Sequence, residues 1–351
     1  MTTKNTQIIF KKIPEGMPVV GEDIEVVTKD FDVNRVTLKD NDVLLHNLYM
    51  SVDPYMRGRM RPAKIKSYIS AFTLGEVMQA GGVSEVIKSK NPEFKEGDIV
   101  SGMIGWENYT LVSEGKDLRK IEGARESSIP LSYYLGILGM PGMTAYIGLF
   151  HIGEPKEGET IFISAASGAV GQVVGQIAKV KGLRVVGTAG DDSKVDYLVK
   201  ELGFDAAFNY KKVDLNQELS SSCPKGIDIY YENVGGKMLD AALEHCNDFA
   251  RIPVCGMISQ YNRSSDPEPV YNTLMILTKR IKMHGFIVFD IEHLYATQFA
   301  NDVPNWLKEG KIKYKEDLME GIENAPEAFL RILRGENFGK QVVKLADPSG
   351  K

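Results

Sequence analysis

The chain has 351 residues, of which 43% are hydrophobic and 25% charged, and its net charge is −5. That length exceeds one ordinary core and predicts two domains, while the charge balance offers no basic face for nucleic acid or anionic lipid. No apolar signal core precedes residue 12, and Cys223, Cys246 and Cys255 are too few and too odd in number for a disulfide framework, so a reducing, cytoplasmic setting is expected.

In chain order, residues 7–123 read as short strands, with candidates at 23–27, 42–50, 85–88 and 98–103. Gly81-Gly82 and Gly97-Asp98 punctuate them as turns, which suggests a barrel-like β domain. Within it, Ser51-Val52-Asp53-Pro54-Tyr55-Met56-Arg57-Gly58 follows a strand and opens a segment carrying Arg57, Arg59 and Arg61. Two readings stand for it: a cleft loop in which Tyr55 presents a phenol to a ligand, or a strand-end turn with its arginines in solvent. The uncharged run 127–153 is long enough to raise a membrane span, but Pro130, Pro141, Gly136, Gly139, Gly142 and Gly148 break it into short helices. Asn108-Tyr109-Thr110 and Asn262-Arg263-Ser264 match the glycosylation sequon, and without a signal segment both read as chance.

From residue 160 the pattern alternates strand and helix. Strands are predicted at 160–164, 184–188, 206–208, 227–232, 249–255 and 282–288, and helices at 170–181, 193–202, 237–243, 271–279 and 293–308. Such alternation specifies a parallel, doubly wound sheet with right-handed crossovers. Its first strand-to-helix turn is Ser164-Ala165-Ala166-Ser167-Gly168-Ala169-Val170-Gly171. A turn so poor in side chains lets a diphosphate reach the N–H groups and positive dipole end of the following helix, although an ordinary crossover is the competing reading. After residue 311 a strand, an amphipathic helix at 324–333 and a last strand at 340–345 are too little for a domain. This tail is expected to return to the N-terminal β domain, with the active site in the cleft between the two.

Zinc chemistry of the dehydrogenase kind needs thiolate and imidazole ligands, yet no cysteine precedes Cys223 and His46 is the one histidine before His151. Hydride transfer without a metal then favours a C=C conjugated to a carbonyl over a plain ketone, because charge spreads onto oxygen as an enolate.

Five collinear segments narrow the reading: Val52-Asp53-Pro54-Tyr55-Met56-Arg57; Gly105-Trp106 with Tyr109-Thr110; Leu138-Gly139-Met140-Pro141-Gly142-Met143-Thr144-Ala145-Tyr146; the turn from Ala165 to Gly171; and Tyr230-Tyr231-Glu232-Asn233-Val234-Gly235-Gly236. On these the chain resembles the zinc-independent leukotriene B4 12-hydroxydehydrogenase/prostaglandin reductase family of medium-chain dehydrogenase/reductases, and within it the plant NADPH-dependent alkenal and phenylpropenal double-bond reductases. The resemblance implies an α/β chain with a GroES-like β-barrel catalytic domain (1–130 and 312–351) and a Rossmann NADPH-binding domain (131–311). It also implies reduction of an α,β-unsaturated aldehyde or ketone by hydride addition at the β-carbon, and a cytoplasmic homodimer with no nucleic-acid or membrane partner.

Cofactor choice rests on the resemblance. Asp191, about 20 residues past the turn, would by the general rule favour NAD. In the family, a lysine in the place of Lys194 (Gly190-Asp191-Asp192-Ser193-Lys194) meets the 2′-phosphate of NADPH, and Tyr210 matches a tyrosine near it. Asp191 and Asp192 are then helix-start caps.

Other positions carry over singly. Pro54, Tyr55 and the turn residues Ala165, Ala166, Ser167, Gly168, Ala169, Val170 and Gly171 match cofactor contacts. So do Asn233, Cys255 and Tyr261, the backbone of Phe286, Ile287 and Val288, and Asn337. Tyr261 matches the tyrosine that hydrogen-bonds the substrate carbonyl, and Tyr55 is the second substrate contact. A quinone oxidoreductase of the same superfamily is the rival enzyme reading, and a cofactor-binding protein without turnover is the rival of another class.

Overall fold

The computed structural model describes residues 3–263 and 265–350. Contacts divide the chain into two compact units, one of Met1–Leu135, Asp317–Asn337 and Gln341–Lys351, the other of Gly136–Glu316 and Phe338–Lys340.

The first unit holds strands β1 (Thr3–Phe10), β2 (Ile24–Phe31), β3 (Val43–Ser51), β4 (Gln79–Ser89), β5 (Ile99–Gly105), β6 (Tyr109–Val112) and β7 (Arg119–Lys120), and one helical turn, α1 (Met56–Arg59). β1 and β2 form an antiparallel ribbon. Strand β4 runs straight through Gly81 and Gly82, where a turn was expected. The glycine there is a packing device: a Cβ on Gly82 would lie 2.0 Å from Ile104 Cδ1. The arginines after β3 are not solvated either. Arg57 and Arg59 are buried, and with Arg61 they donate to the carbonyls of Gly16, Ser70, Gln79 and Ile65, tying the loop at Gly16 and the segment 65–70 to the start of β4.

The second unit begins with the broken helical run. A 3₁₀ segment (Leu131–Leu135) at the end of the first unit precedes α2 (Met140–Ile147) and a π-helical turn at Gly148–Gly153. Among the described residues no helix is long and apolar enough to cross a membrane. Six strands follow: β8 (Thr160–Ile163), β9 (Arg184–Ala189), β10 (Ala206–Asn209), β11 (Ile227–Tyr231), β12 (Cys246–Val254) and β13 (Lys282–Gly285). Their helices are α3 (Gly171–Val180), α4 (Asp192–Asp196), α5 (Leu215–Ser222), α6 (Gly236–His245), α7 (Leu274–Thr278) and α8 (Val288–Lys308).

The sheet order is β10-β9-β8-β11-β12-β13 with every pairing parallel, so strand order reverses between β8 and β11. That reversal is where open α/β sheets present a ligand crevice. Phe162, Phe208 and Tyr230 stack on one sheet face, with centroids 6.1 and 5.1 Å apart.

Several boundaries differ from the sequence reading. β13 ends at Gly285, so Phe286 and Ile287 lie past it and Val288 already opens α8, a turn and a half before 293. β12 starts at Cys246 rather than at 249. α5 was not expected because it is largely polar, although Asp214 caps it by accepting the Gln217 N–H at 3.0 Å.

The tail supplies β14 (Glu316–Glu320), α9 (Ala325–Arg334) and β15 (Lys340–Lys344). β15 pairs antiparallel with β3, and α9 buries Ala325, Ala328, Phe329 and Ile332 in the core of the first unit, where Phe329 meets Trp106 edge-on. The sequon residue Ser264 lies outside the described residues.

Candidate active site

Sterics fix the turn after β8. Ala165 takes a left-handed backbone, φ +47°, and Ala166 N–H donates to Thr188 O at 2.8 Å. The chain then doubles back so tightly that a Cβ on Gly171 would lie 2.6 Å from Ala165 O, and one on Gly168 would lie 3.2 Å from the same oxygen. α3 starts there with no side chain capping its N-terminus. The N–H groups of Gln172, Val173 and Val174 bond back to Gly168 O and Val170 O, and the glycine and alanine surface ahead of them, at the positive end of the helix, fits a diphosphate. Farther along α3, a Cβ on Gly175 would lie 2.0 Å from the Phe204 ring, which also crowds Gly187 of β9.

At the ends of β9 and β10 the acids are engaged. Asp191 caps α4 by accepting the Ser193 N–H at 2.8 Å and the Ser193 hydroxyl at 2.6 Å, and those bonds hold its carboxyl below the usual range. Asp192 accepts from Asn209 at 2.7 Å and from Lys212, with the same effect on its carboxyl. Lys194 is buried, whereas Tyr210 is 41% exposed. A Cβ on Gly190 would stand 3.2 Å from Tyr210 Oη and 3.3 Å from Lys211 Cε, so Gly190, Tyr210 and Lys211 gather at one point. Lys211 had not been singled out, because only its place beside Gly190 marks it.

Where β8, β11 and β12 end, one buried carboxyl organises the backbone. Glu232 Oε1 accepts the Val234 N–H, the Gly235 N–H at 2.9 Å, the Tyr230 hydroxyl at 2.9 Å and the Ser164 hydroxyl at 3.4 Å. Burial outweighs these bonds and raises the pKa of the carboxyl. Its second oxygen is buried with no hydrogen-bond partner among the described residues. Asn233, next in sequence, donates from its side chain to Ser164 O at 2.8 Å and from its backbone to Ser164 Oγ at 3.0 Å. Its carbonyl and that of Val234 accept the N–H groups of Ile258 and Ser259, at 3.1 and 3.0 Å. These bonds carry the loop to Tyr261, whose phenol folds back over Gly256 and accepts the Met257 N–H at 3.4 Å. A Cβ on Gly256 would lie 2.8 Å from that phenol oxygen.

The structure thus brings Ser164, Asn233, Cys255 and Tyr261 together around Glu232, a residue inside the quoted Tyr230–Gly236 segment to which no role had been given. Its signal was a lone carboxylate closing an apolar strand. Cys255 N–H donates to Glu232 O at 2.9 Å. Burial, and then the Glu232 charge, push the Cys255 thiol up to about 12, so it is no thiolate at neutral pH. Phe286 packs beside Tyr231: a Cβ on Gly148 would meet Tyr231 Oη at 2.3 Å and the Phe286 ring at 2.8 Å.

In the first unit, Tyr55 precedes α1 beside Asp53 and Arg59. Burial, with Asp53 second, raises its phenol pKa, and Arg59 partly offsets this. Asn337 follows the left-handed Gly335 that ends α9.

No metal site accompanies these groups: among the described residues no three His, Cys, Asp or Glu side chains gather as metal ligands. Burial also pushes the Cys223 and Cys246 thiols up to about 12, unsuited to zinc.

Residues 6–121 match a family model described as the N-terminal domain of oxidoreductase, and residues 169–303 one described as zinc-binding dehydrogenase. The chain is 49% identical to a 2-alkenal reductase (NADP(+)-dependent) of Nicotiana tabacum, covering 97% of this chain and 98% of that one. It is 44% identical to an NADPH-dependent curcumin reductase of Escherichia coli, over 98% and 97% of the two chains. Among solved structures, CurA in complex with NADPH from Vibrio vulnificus superposes with a TM-score of 0.89 at 44% identity, covering 98% of this chain and 100% of that one. The fold is accordingly that of a GroES-like unit joined to a Rossmann sheet, and this chain belongs to the leukotriene B4 12-hydroxydehydrogenase/prostaglandin reductase family of the medium-chain dehydrogenase/reductases.

Proposed function

We propose that this protein is an NADPH-dependent reductase of the C=C bond of α,β-unsaturated aldehydes and ketones. The carrying observation is end-to-end identity of 49% to a protein named as a 2-alkenal reductase, with the uncapped, glycine-lined start of α3 as the cofactor's anchor. When bound, the cofactor supplies a hydride to the carbon β to the carbonyl.

The chain's own residues do the rest. Ala165 to Gly171 hold the diphosphate with backbone N–H groups, and Lys194, Tyr210 and Gly190 take the 2′-phosphate end. Asn233, Cys255 and the stretch Phe286 to Val288 orient the nicotinamide, with Pro54, Tyr55 and Asn337 as further contacts. Tyr261 donates its hydroxyl proton to a hydrogen bond on the substrate oxygen, where charge develops as the enolate forms, so the bond strengthens toward the transition state. Its phenol oxygen also accepts the Met257 N–H, and an accepted bond makes a hydroxyl a stronger donor. Water protonates the α-carbon. Polarisation by Tyr261 takes the place of a metal, which the donor set does not favour.

The domains are 1–130 with 312–351 for catalysis and 131–311 for the cofactor. The protein works as a homodimer through the open β13 edge: β13 has no buried residue, and in the stretch that precedes it Tyr271 and Leu277 are 79% and 73% exposed. Its compartment is the cytoplasm, consistent with three free cysteines.

A panel of an alkenal, a benzalacetone-type enone and a quinone, each with NADPH, tests the activity. Oxidation with the enal and enone to their saturated products supports the proposal, and turnover confined to the quinone would overturn it. Light scattering in solution checks the dimer.

A further inference from the structure

Lys315 stands out among the cations of the second unit. Its backbone is locked to the first turn of α3: Gln172 Oε1 accepts its N–H at 2.9 Å, and Gln172 Nε2 donates to its carbonyl at 3.1 Å. Lys340 N–H donates to the same carbonyl at 3.0 Å, and Gly339, on the chain between, bridges to Gly168 in the turn itself. Lys315 therefore belongs to the rim of the phosphate turn although 147 positions separate it from Gly168.

Its side chain does not go to an acid. The ammonium lies 4.1 Å above the Phe338 ring and 5.4 Å from the Tyr197 ring, and among the described residues Lys315 forms no ion pair. The two rings meet edge-on at 5.2 Å, and Tyr197 Oη donates to Gln172 Oε1 at 3.0 Å. The aromatic seat thus fixes a half-buried positive charge without neutralising it. Tyr197 is three residues after Lys194 in one continuous helical segment, and positions i and i+3 share a face. Through Tyr197, Lys315 consequently approaches the helical face that carries Lys194.

We propose that Lys315 is a second cation for the adenosine 2′-phosphate and a determinant of the choice of NADPH over NADH. The inference rests on the NADPH reading above. Two cations suit a phosphate monoester, whose charge at neutral pH approaches two, better than one does. Neither the ribose hydroxyl of NADH nor a diphosphate already served by helix N–H groups needs the second.

The test measures direct binding by calorimetry for NADPH, NADH and 2′,5′-ADP, in the wild type, Lys315→Gln and Lys315→Arg, with melting temperatures alongside. Lys315→Gln is expected to weaken NADPH and 2′,5′-ADP about tenfold, the scale of one charge-assisted contact, and NADH less than twofold. Lys315→Arg, which keeps both the charge and the aromatic seat, is expected to stay within about threefold for all three. Equal weakening of NADPH and NADH by Lys315→Gln, or no weakening of either, would overturn the proposal. A wild type that binds NADH as well as NADPH would instead overturn the NADPH reading itself, whatever Lys315→Gln does.

Discussion

The turn after β8 and the loop ending at Tyr261 both lie at the carboxyl edge of the second unit's sheet, yet they are held by different means. In the turn, the tightest steric limits come from residues within seven positions of one another: the oxygen of Ala165 excludes a Cβ at Gly171 and crowds one at Gly168. In the loop, Ser259 bonds Val234, 25 positions earlier, through both its N–H and its hydroxyl, and the Val234 turn hangs in its turn on Glu232. A cofactor cradle can thus be written in a local motif, whereas the substrate-side tyrosine depends on a buried hub whose partners no local pattern gives.

Removing the hub should show this most strongly. Glu232→Ala leaves the Val234 and Gly235 N–H groups and the Tyr230 hydroxyl buried without their acceptor, and is expected to cost about 3–4 kcal/mol in denaturant unfolding. Glu232→Gln keeps one oxygen acceptor and should cost about 1 kcal/mol or less. It also carries a pH signature. Burial holds the folded carboxyl above the ordinary 4.5. The folded protein therefore keeps a proton that the unfolded chain has released, and stability from this group is full below 4.5 and falls as pH rises through the folded value. Unfolding measured against pH should show that fall in the wild type relative to Glu232→Gln, and parallel curves would remove Glu232 as a titrating hub.

On the side of the turn, Gly171→Ala forces a Cβ to within 2.6 Å of a backbone oxygen. An expected loss of about 3 kcal/mol, together with NADPH binding too weak to titrate, would show that local sterics alone hold the cradle. Tyr261→Phe separates chemistry from cofactor binding: turnover of an enone should drop roughly 10²-fold while the NADPH dissociation constant stays put. Lys194→Ala should raise the Michaelis constant for NADPH about tenfold and leave that for NADH nearly unchanged. The smallest effect is a gain. Ala165 sits at φ +47°, where a side chain is strained, so Ala165→Gly should stabilise the protein by about 0.5 kcal/mol in the same unfolding assay, and a loss would mean that the turn needs the stiffness of alanine.

What could be read from the chain follows the same division. The parallel sheet was legible because Ile161, Phe162, Ile163, Val185, Val186, Ile227 and Ile229 form short apolar runs between helical periods. The turn was legible because glycine and alanine spacing is a steric statement. Gly81-Gly82 misled because the same residue type that makes turns also lets Ile104 cross a strand. The arginines after Tyr55 were not readable as loop staples, since their acceptors are carbonyls from Gly16 to Gln79. Gln172 and Lys315 were invisible for a related reason, and Glu232 showed only as a carboxylate closing an apolar strand, each being a polar residue whose partners the fold alone brings close.

The position of the transferred hydride tests the central claim most directly. With NADPH deuterated at the transferring carbon and an enone as acceptor, the account predicts a saturated ketone carrying one deuterium on the carbon β to an intact carbonyl, seen by proton NMR. Deuterium on a carbinol carbon, with the double bond retained, would contradict it.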